Sequence, residues 1–256
     1  MGRFARCRTA CHGLESQPHR YKILVAGNHD VLLDKEFFEK YPERRYGEEE
    51  TMDDLEWGDV IYLNDSHTTL NFPTPAAAGD SGGGAPGYGT DSRELTIFGS
   101  PWTPQYGISA FQYPNTDADR WKVLSYGLSP PDIVVTHGPP RNHLDLQGWR
   151  RAGCPYLNRE ICRHRPRLVV FGHIHASYGR QDAVLDDVQR AYDELMVAWA
   201  GWTAITRMAM LSVVARCRRM LRGPEVGGEK ITTFVNAAVV SGPKNQLGNS
   251  PIVVEI

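Results

Sequence analysis

The sequence predicts an α/β fold on three observations. Short apolar runs recur and stop at Gly or His, helix-like stretches lie between them, and the composition is that of an ordinary globular chain. At 256 residues the chain can bury a sizeable core and still be one domain, so a single domain over 1–256 is expected.

The elements follow in order. Residues 1–20 are basic and show no regular apolar period. Residues 21–26 (Tyr-Lys-Ile-Leu-Val-Ala) form an apolar run that stops at Gly27, as a buried strand entering a turn does. The same grammar recurs. Residues 95–98 run into Gly99-Ser100-Pro101, 133–136 into His137-Gly138-Pro139-Pro140, and 168–171 into Gly172-His173. Residues 31–41 and 118–127 read as helices between these strands. Residues 73–90, with an Ala triplet and repeated Gly, hold few large apolar side chains and are expected to be a flexible surface insertion. Residues 186–221 read as a helical insertion, one long helix or two shorter ones, and 232–237 and 252–254 as late strands.

Charge and cysteine content narrow the functional classes. A formal charge of −2 gives no bulk attraction for polyanions, so no nucleic-acid partner is expected. Five cysteines are odd in number and form no CxxC pair, and no apolar signal segment precedes them. A reducing, cytoplasmic setting fits. Residues 195–215 carry one charge, Arg207, and are followed by Arg216, Arg218, Arg219 and Arg222. Three readings are open for them: a helix packed on the domain, a helix lying on a membrane surface, or a span. Thr203, Thr206 and Arg207 share one helical stripe, which favours an amphipathic helix over a span.

The polar residues at the strand ends carry the chemistry. Singly, Asn28, His29, Asp30, His137, His173 and His175 are unremarkable. In an α/β sheet, however, strand ends converge, and several imidazoles gathered there suggest a transition metal. His173 and His175 are separated by one residue, so in an extended segment both rings project to the same side. Gly27, Gly138 and Gly172 beside them permit tight turns and close backbone approach.

In order, Gly27-Asn28-His29-Asp30, His137-Gly138 and Gly172-His173-Ile174-His175 resemble the GNH[DE], H and GHxH motifs of calcineurin-like metallophosphoesterases. The segments 98–104, 136–140 and 173–179 are similar to a narrower group, the metallophosphoesterase domain-containing proteins. The likeness covers residues 14–181 and 231–256. It implies a sandwich of two β-sheets flanked by helices, with divalent transition metal (Mn, Fe or Zn) at the strand ends. Carried across, Asn28, His137 and His173 would bind the second metal and His175 the first. His29 would be the general acid or electrostatic partner of the phosphate, with Asp30 orienting it. The implied activity is hydrolysis of phosphoesters, phosphodiesters among them, with a phosphoester or nucleotide as the small-molecule partner.

The sequence departs from that pattern before Gly27. The family's DxH and GD motifs, which supply the first metal and the bridging carboxylate, have no counterpart there. Residues 1–26 contain no Asp, and Glu15 is their only acidic residue. The expectation is therefore a chain truncated at its N-terminus, lacking the first strand or strands and holding one ion rather than two. Two alternatives follow: a catalytically impaired relative that binds phosphate or nucleotide without turnover, and a membrane-associated scaffold.

Overall fold

A computed structural model describes residues 3–45, 50–75, 88–127, 129–197, 199, 201–222, 230–242 and 246–256. Among these residues the chain forms helices α1 (Arg3–Glu15), α2 (Lys35–Lys40), α3 (Pro155–His164), α4 (Asp187–Met196) and α5 (Trp202–Arg222). The longer strands are β1 (Lys22–Leu24), β2 (Val60–Tyr62), β3 (Ser66–Pro75), β4 (Tyr88–Ser100), β7 (Ile133–Thr136), β10 (Leu168–Phe171), β11 (Gly179–Val184) and β12 (Ile231–Asn236). Two-residue strands complete the set: β5 (Thr103–Pro104), β6 (Gln112–Tyr113), β8 (Leu146–Gln147), β9 (Arg150–Arg151), β13 (Val240–Ser241) and β14 (Gln246–Leu247).

The main sheet has six strands in the order β11-β12-β10-β7-β4-β3. Its four central strands run parallel, and antiparallel β11 and β3 close the edges. Because side chains alternate across a strand, each apolar run supplies both faces of the sheet. Phe98, Val134, Val169 and Phe234 point to one side, where they pack with Leu157 and Ile161 of α3 and with Trp121 and Leu124. Leu95, Ile97, Ile133, Leu168 and Val235 point to the other. There Ile23 of β1 and Ile61 of β2 cover them, together with Ile252, Val254 and Ile256. The second layer is thus a short parallel β1–β2 sheet, and the fold is an α/β sandwich. Each such side chain, fully buried, contributes about 1.5–3 kcal/mol of transfer free energy.

Several expectations are corrected. The N-terminal stretch expected to be irregular contains α1, whose Cys11 is buried. The helix expected over 31–41 is a 3-10 turn (Val31–Leu33) followed by α2, because the Asp34 side chain accepts from Phe37 N and restarts the helix. Residues 118–127 contain a 3-10 stretch, Arg120–Ser125, rather than an α-helix. Residues 252–254 pair with no strand and serve instead as packing for the sheet. The surface insertion expected at 73–90 begins and ends inside the β3–β4 hairpin, whose ladder reaches Pro75 and Tyr88; residues 76–87 lie outside the described residues.

The helical region 186–221 divides into α4 and α5, with Val197 capping α4. A continuous helix over 195–215 is therefore absent, and among the described residues no helix is long and apolar enough to cross a membrane. Helix α4 is fastened by one buried carboxylate. Asp193 accepts from Asn142 Nδ2 (2.8 Å), Asn158 Nδ2 (2.8 Å) and Gln189 Nε2 (3.0 Å). The same carboxylate, after burial itself, pushes the Cys162 thiol up to about 12.

Candidate metal centre

Three strand ends meet at one edge. β1 leads into Gly27–Asn28, β7 into His137 and β10 into Gly172–His173. The sheet ladder stops where these residues begin, freeing their side chains from strand alternation. Backbone bonds then tie the loops together. His137 N donates to Ser100 O (3.2 Å), Gly172 N to His137 O (3.0 Å) and Ala110 N to Asn28 O (3.2 Å).

The side chains converge accordingly. His137 Nε2 lies 2.7 Å from Asn28 Oδ1, and the His137 and His173 rings are 4.8 Å apart, centroid to centroid, at 61°. Gly27 is required at its position, since a Cβ there would come within 2.6 Å of His137 Cε1. Gly138 is similarly confined, its Cβ position being 2.9 Å from Thr103 Cγ2, whereas Gly172 has only an ordinary contact at 4.0 Å. His173 occupies the left-handed region at φ 64, a conformation that costs energy for a residue with a side chain and clusters at functional sites.

Burial first, and then the neighbouring imidazoles, hold both rings neutral. His137 is pushed down to about 3 by burial and by His173, His29 and His175. His173 is pushed down to about 4 by burial and by His175 and His29. A neutral imidazole keeps a lone pair, which is the form that ligates a metal.

Of the six residues the sequence singled out, Asn28, His29, His137, His173 and His175 line one pocket of about 440 Å³. Asp30 stands apart from that lining. Its Oδ2 accepts from Gly27 N at 2.7 Å, closing the turn that presents Asn28. His29 and His175 are exposed. The donor set of one amide oxygen and two imidazoles fits a single borderline divalent ion. Among the described residues no group of three or more His, Cys, Asp or Glu is placed to hold a metal, so the set depends on the Asn28 amide beside the two imidazoles.

Two further residues contribute, of which Tyr106 has no signal in the sequence. Tyr106 shares the pocket, its ring 5.3 Å from that of His173, and it sits on a loop with no periodic signal. Asn236, at the end of β12, is fully buried. Its Nδ2 donates to Ile174 O (2.9 Å) and Leu144 O (3.1 Å), and its Oδ1 accepts from Ala238 N (3.1 Å), which fixes the His173 loop from behind. Its end-of-strand position is its only signal in the sequence, and its side chain caps the loop.

Fold and site together define an α/β protein with a histidine-rich pocket at its strand ends. A model of the calcineurin-like phosphoesterase family matches residues 7–177, and the chain belongs to that family. It is 33% identical over 181 residues to metallophosphoesterase domain-containing protein 1 of Homo sapiens and equally to that of Mus musculus, covering 65% of this chain and 48% of theirs. It is 36% identical over 245 residues to the probable rhamnogalacturonate lyase C of Emericella nidulans, covering 95% of this chain and 20% of that protein. The chain thus spans from a fifth to about half the length of these curated relatives.

Proposed function

We propose that the pocket is a phosphoester-hydrolysing site that holds one divalent ion, Mn, Fe or Zn, on Asn28, His137 and His173. The observation that carries this reading is the convergence of Asn28, His137 and His173 on one pocket, where His137 Nε2–H donates to Asn28 Oδ1 at 2.7 Å beside a second neutral imidazole; a metal would take both atoms in place of that hydrogen bond. A metal held there would supply a Lewis acid for the phosphoryl oxygens and a water acidified toward neutrality. The chain's own residues do the rest. Asn28 and the two half-buried histidines present neutral donors, so an anionic ester meets no carboxylate in the pocket lining. His29, exposed at the pocket wall, would pass a proton to the leaving oxygen in this reading, and Tyr106 borders the space beside His173. Phosphoesters, nucleotides and phosphodiesters among them, are the substrate class proposed.

The pocket lining, which holds no carboxylate, favours a second reading, binding of phosphate or nucleotide without turnover. One assay separates the two: hydrolysis of bis(p-nitrophenyl) phosphate in added Mn, with His137→Ala as control. Turnover lost in the variant supports hydrolysis; binding of the ester with a rate equal to the variant's replaces it with the second reading.

We also propose that α5 rests on an anionic membrane surface. Trp202, Met210, Val213 and Met220 are exposed, and Trp202–Arg222 contains five arginines and neither Asp nor Glu. Such a helix matches the apolar and negative character of a lipid interface. Co-sedimentation with phosphatidylserine vesicles but not with phosphatidylcholine vesicles is expected; equal recovery with both, or with neither, refutes it.

A further inference from the structure

A second cavity lies next to the proposed metal site. Its volume is about 590 Å³, within the range that small-molecule sites occupy, and it shares Tyr106 and His173 with the histidine pocket. The two spaces therefore adjoin across those residues. Its far wall is the loop from Pro139 to Cys154, which contributes Arg141, Arg150 and Arg151.

That wall is built rigidly. Arg141 N donates to Cys154 O (3.0 Å) and Cys154 N to Pro139 O (2.9 Å), closing the neck of the loop. Gly153 is confined there, because a Cβ would lie 2.5 Å from Pro140 O. Inside the loop, buried Asp145 accepts from Arg151 Nη1 (2.8 Å) and Gly153 N (3.1 Å).

The charges on this wall are unequal in their neutralisation. Arg151 is compensated by Asp145. Arg141 and Arg150 form no ion pair among the described residues, and Arg141 Nε is buried without a hydrogen-bond partner. The first turn of α3, Pro155 to Leu157, borders the same space and adds the positive end of a helix. Two uncompensated guanidinium groups and a helix N-terminus in one cavity select for negative charge.

We infer that this cavity is a subsite for a second anionic group, a carboxylate or phosphate, carried on the organic part of the phosphoester bound at the histidine pocket. The inference rests on the phosphoester reading above and deepens it. The preferred substrate is then an ester with two separated negative groups: one meets Asn28, His137 and His173, and the other meets Arg141 and Arg150.

The test is calorimetric titration of the Mn-loaded chain with phenyl phosphate and with 4-carboxyphenyl phosphate, which differ by one carboxylate. The wild-type chain is expected to bind the carboxylated ester at least about tenfold more tightly, as charge-assisted hydrogen bonds warrant. In Arg141→Gln/Arg150→Gln the ratio of the two affinities should fall towards one. Arg150→Gln alone, at an exposed side chain, should reduce the ratio severalfold, and it keeps the test decisive if the double variant does not fold. Equal affinities in the wild type, or a preference that survives both variants, overturns the subsite and leaves the phosphoester reading standing. Absence of phenyl phosphate binding overturns that reading and the subsite with it.

Discussion

The strand-end site and the α4–α5 hairpin are held in place by opposite means. At the site, backbone bonds between loops fix the side chains, which are half-buried neutral imidazoles and a buried amide. At the hairpin, one buried carboxylate, Asp193, gathers donors from three directions, while the outer face of α5 is apolar and exposed. The first arrangement holds its side chains with little net charge; the second ties α4 to Asn142 and Asn158 through Asp193, with Trp199 stacked on Tyr156 between the two helices.

Removing the Asp193 side chain is the largest effect expected. Asp193→Ala leaves Asn142 and Asn158 donors buried without acceptors, and each such orphan costs about 1–3 kcal/mol. A large drop in the thermal midpoint should follow, with early loss of hydrogen-exchange protection confined to α4 and α5. Uniform loss across the sheet would show that the hairpin and the sheet unfold as one unit.

Gly27→Ala should break the site with less damage to the fold. The added methyl meets the His137 ring at 2.6 Å, so the ring must move off Asn28, at an overpacking cost of about 1–3 kcal/mol. Metal affinity is expected to fall more than tenfold, as read by a competition titration with a chelating dye. An unchanged affinity would place the ion away from His137.

A subtler change sharpens the comparison. Asn236→Ala removes the donor to Ile174 O and Leu144 O, at about 1–3 kcal/mol. It should weaken metal binding several-fold by loosening the His173 turn. Rescue of the affinity by Asn236→Gln would show that the amide itself is sufficient.

The smallest effect lies on α5. Val213→Ser, on the exposed face, should alter stability by no more than about 0.5 kcal/mol yet reduce recovery with phosphatidylserine vesicles. A stability loss above 1 kcal/mol would mean that this face packs on the protein.

Legibility in the sequence followed the same division. The strands IVVT and LVVF were readable because they are short, apolar and stopped by Gly or His, and their ends located His137 and His173 directly. Gly27 was readable for its turn; that its missing side chain makes room for an imidazole 110 residues later needed coordinates. Helix α1 escaped because RFARCRTACHGLE has no sustained apolar face. Asp193 reads locally as one more charge on a helix, DVQRAYDELM, and its burial depends on Asn142, 51 residues away, and Asn158, 35 away. Tyr106 lies on a loop, where no period marks a residue as inward-facing.

The count of metal ions per chain tests the central claim most directly. Elemental analysis after loading with Mn and removal of excess should give one ion per wild-type chain and none in His137→Ala. Two ions per chain, or one that persists in the variant, would contradict a single centre built on Asn28, His137 and His173.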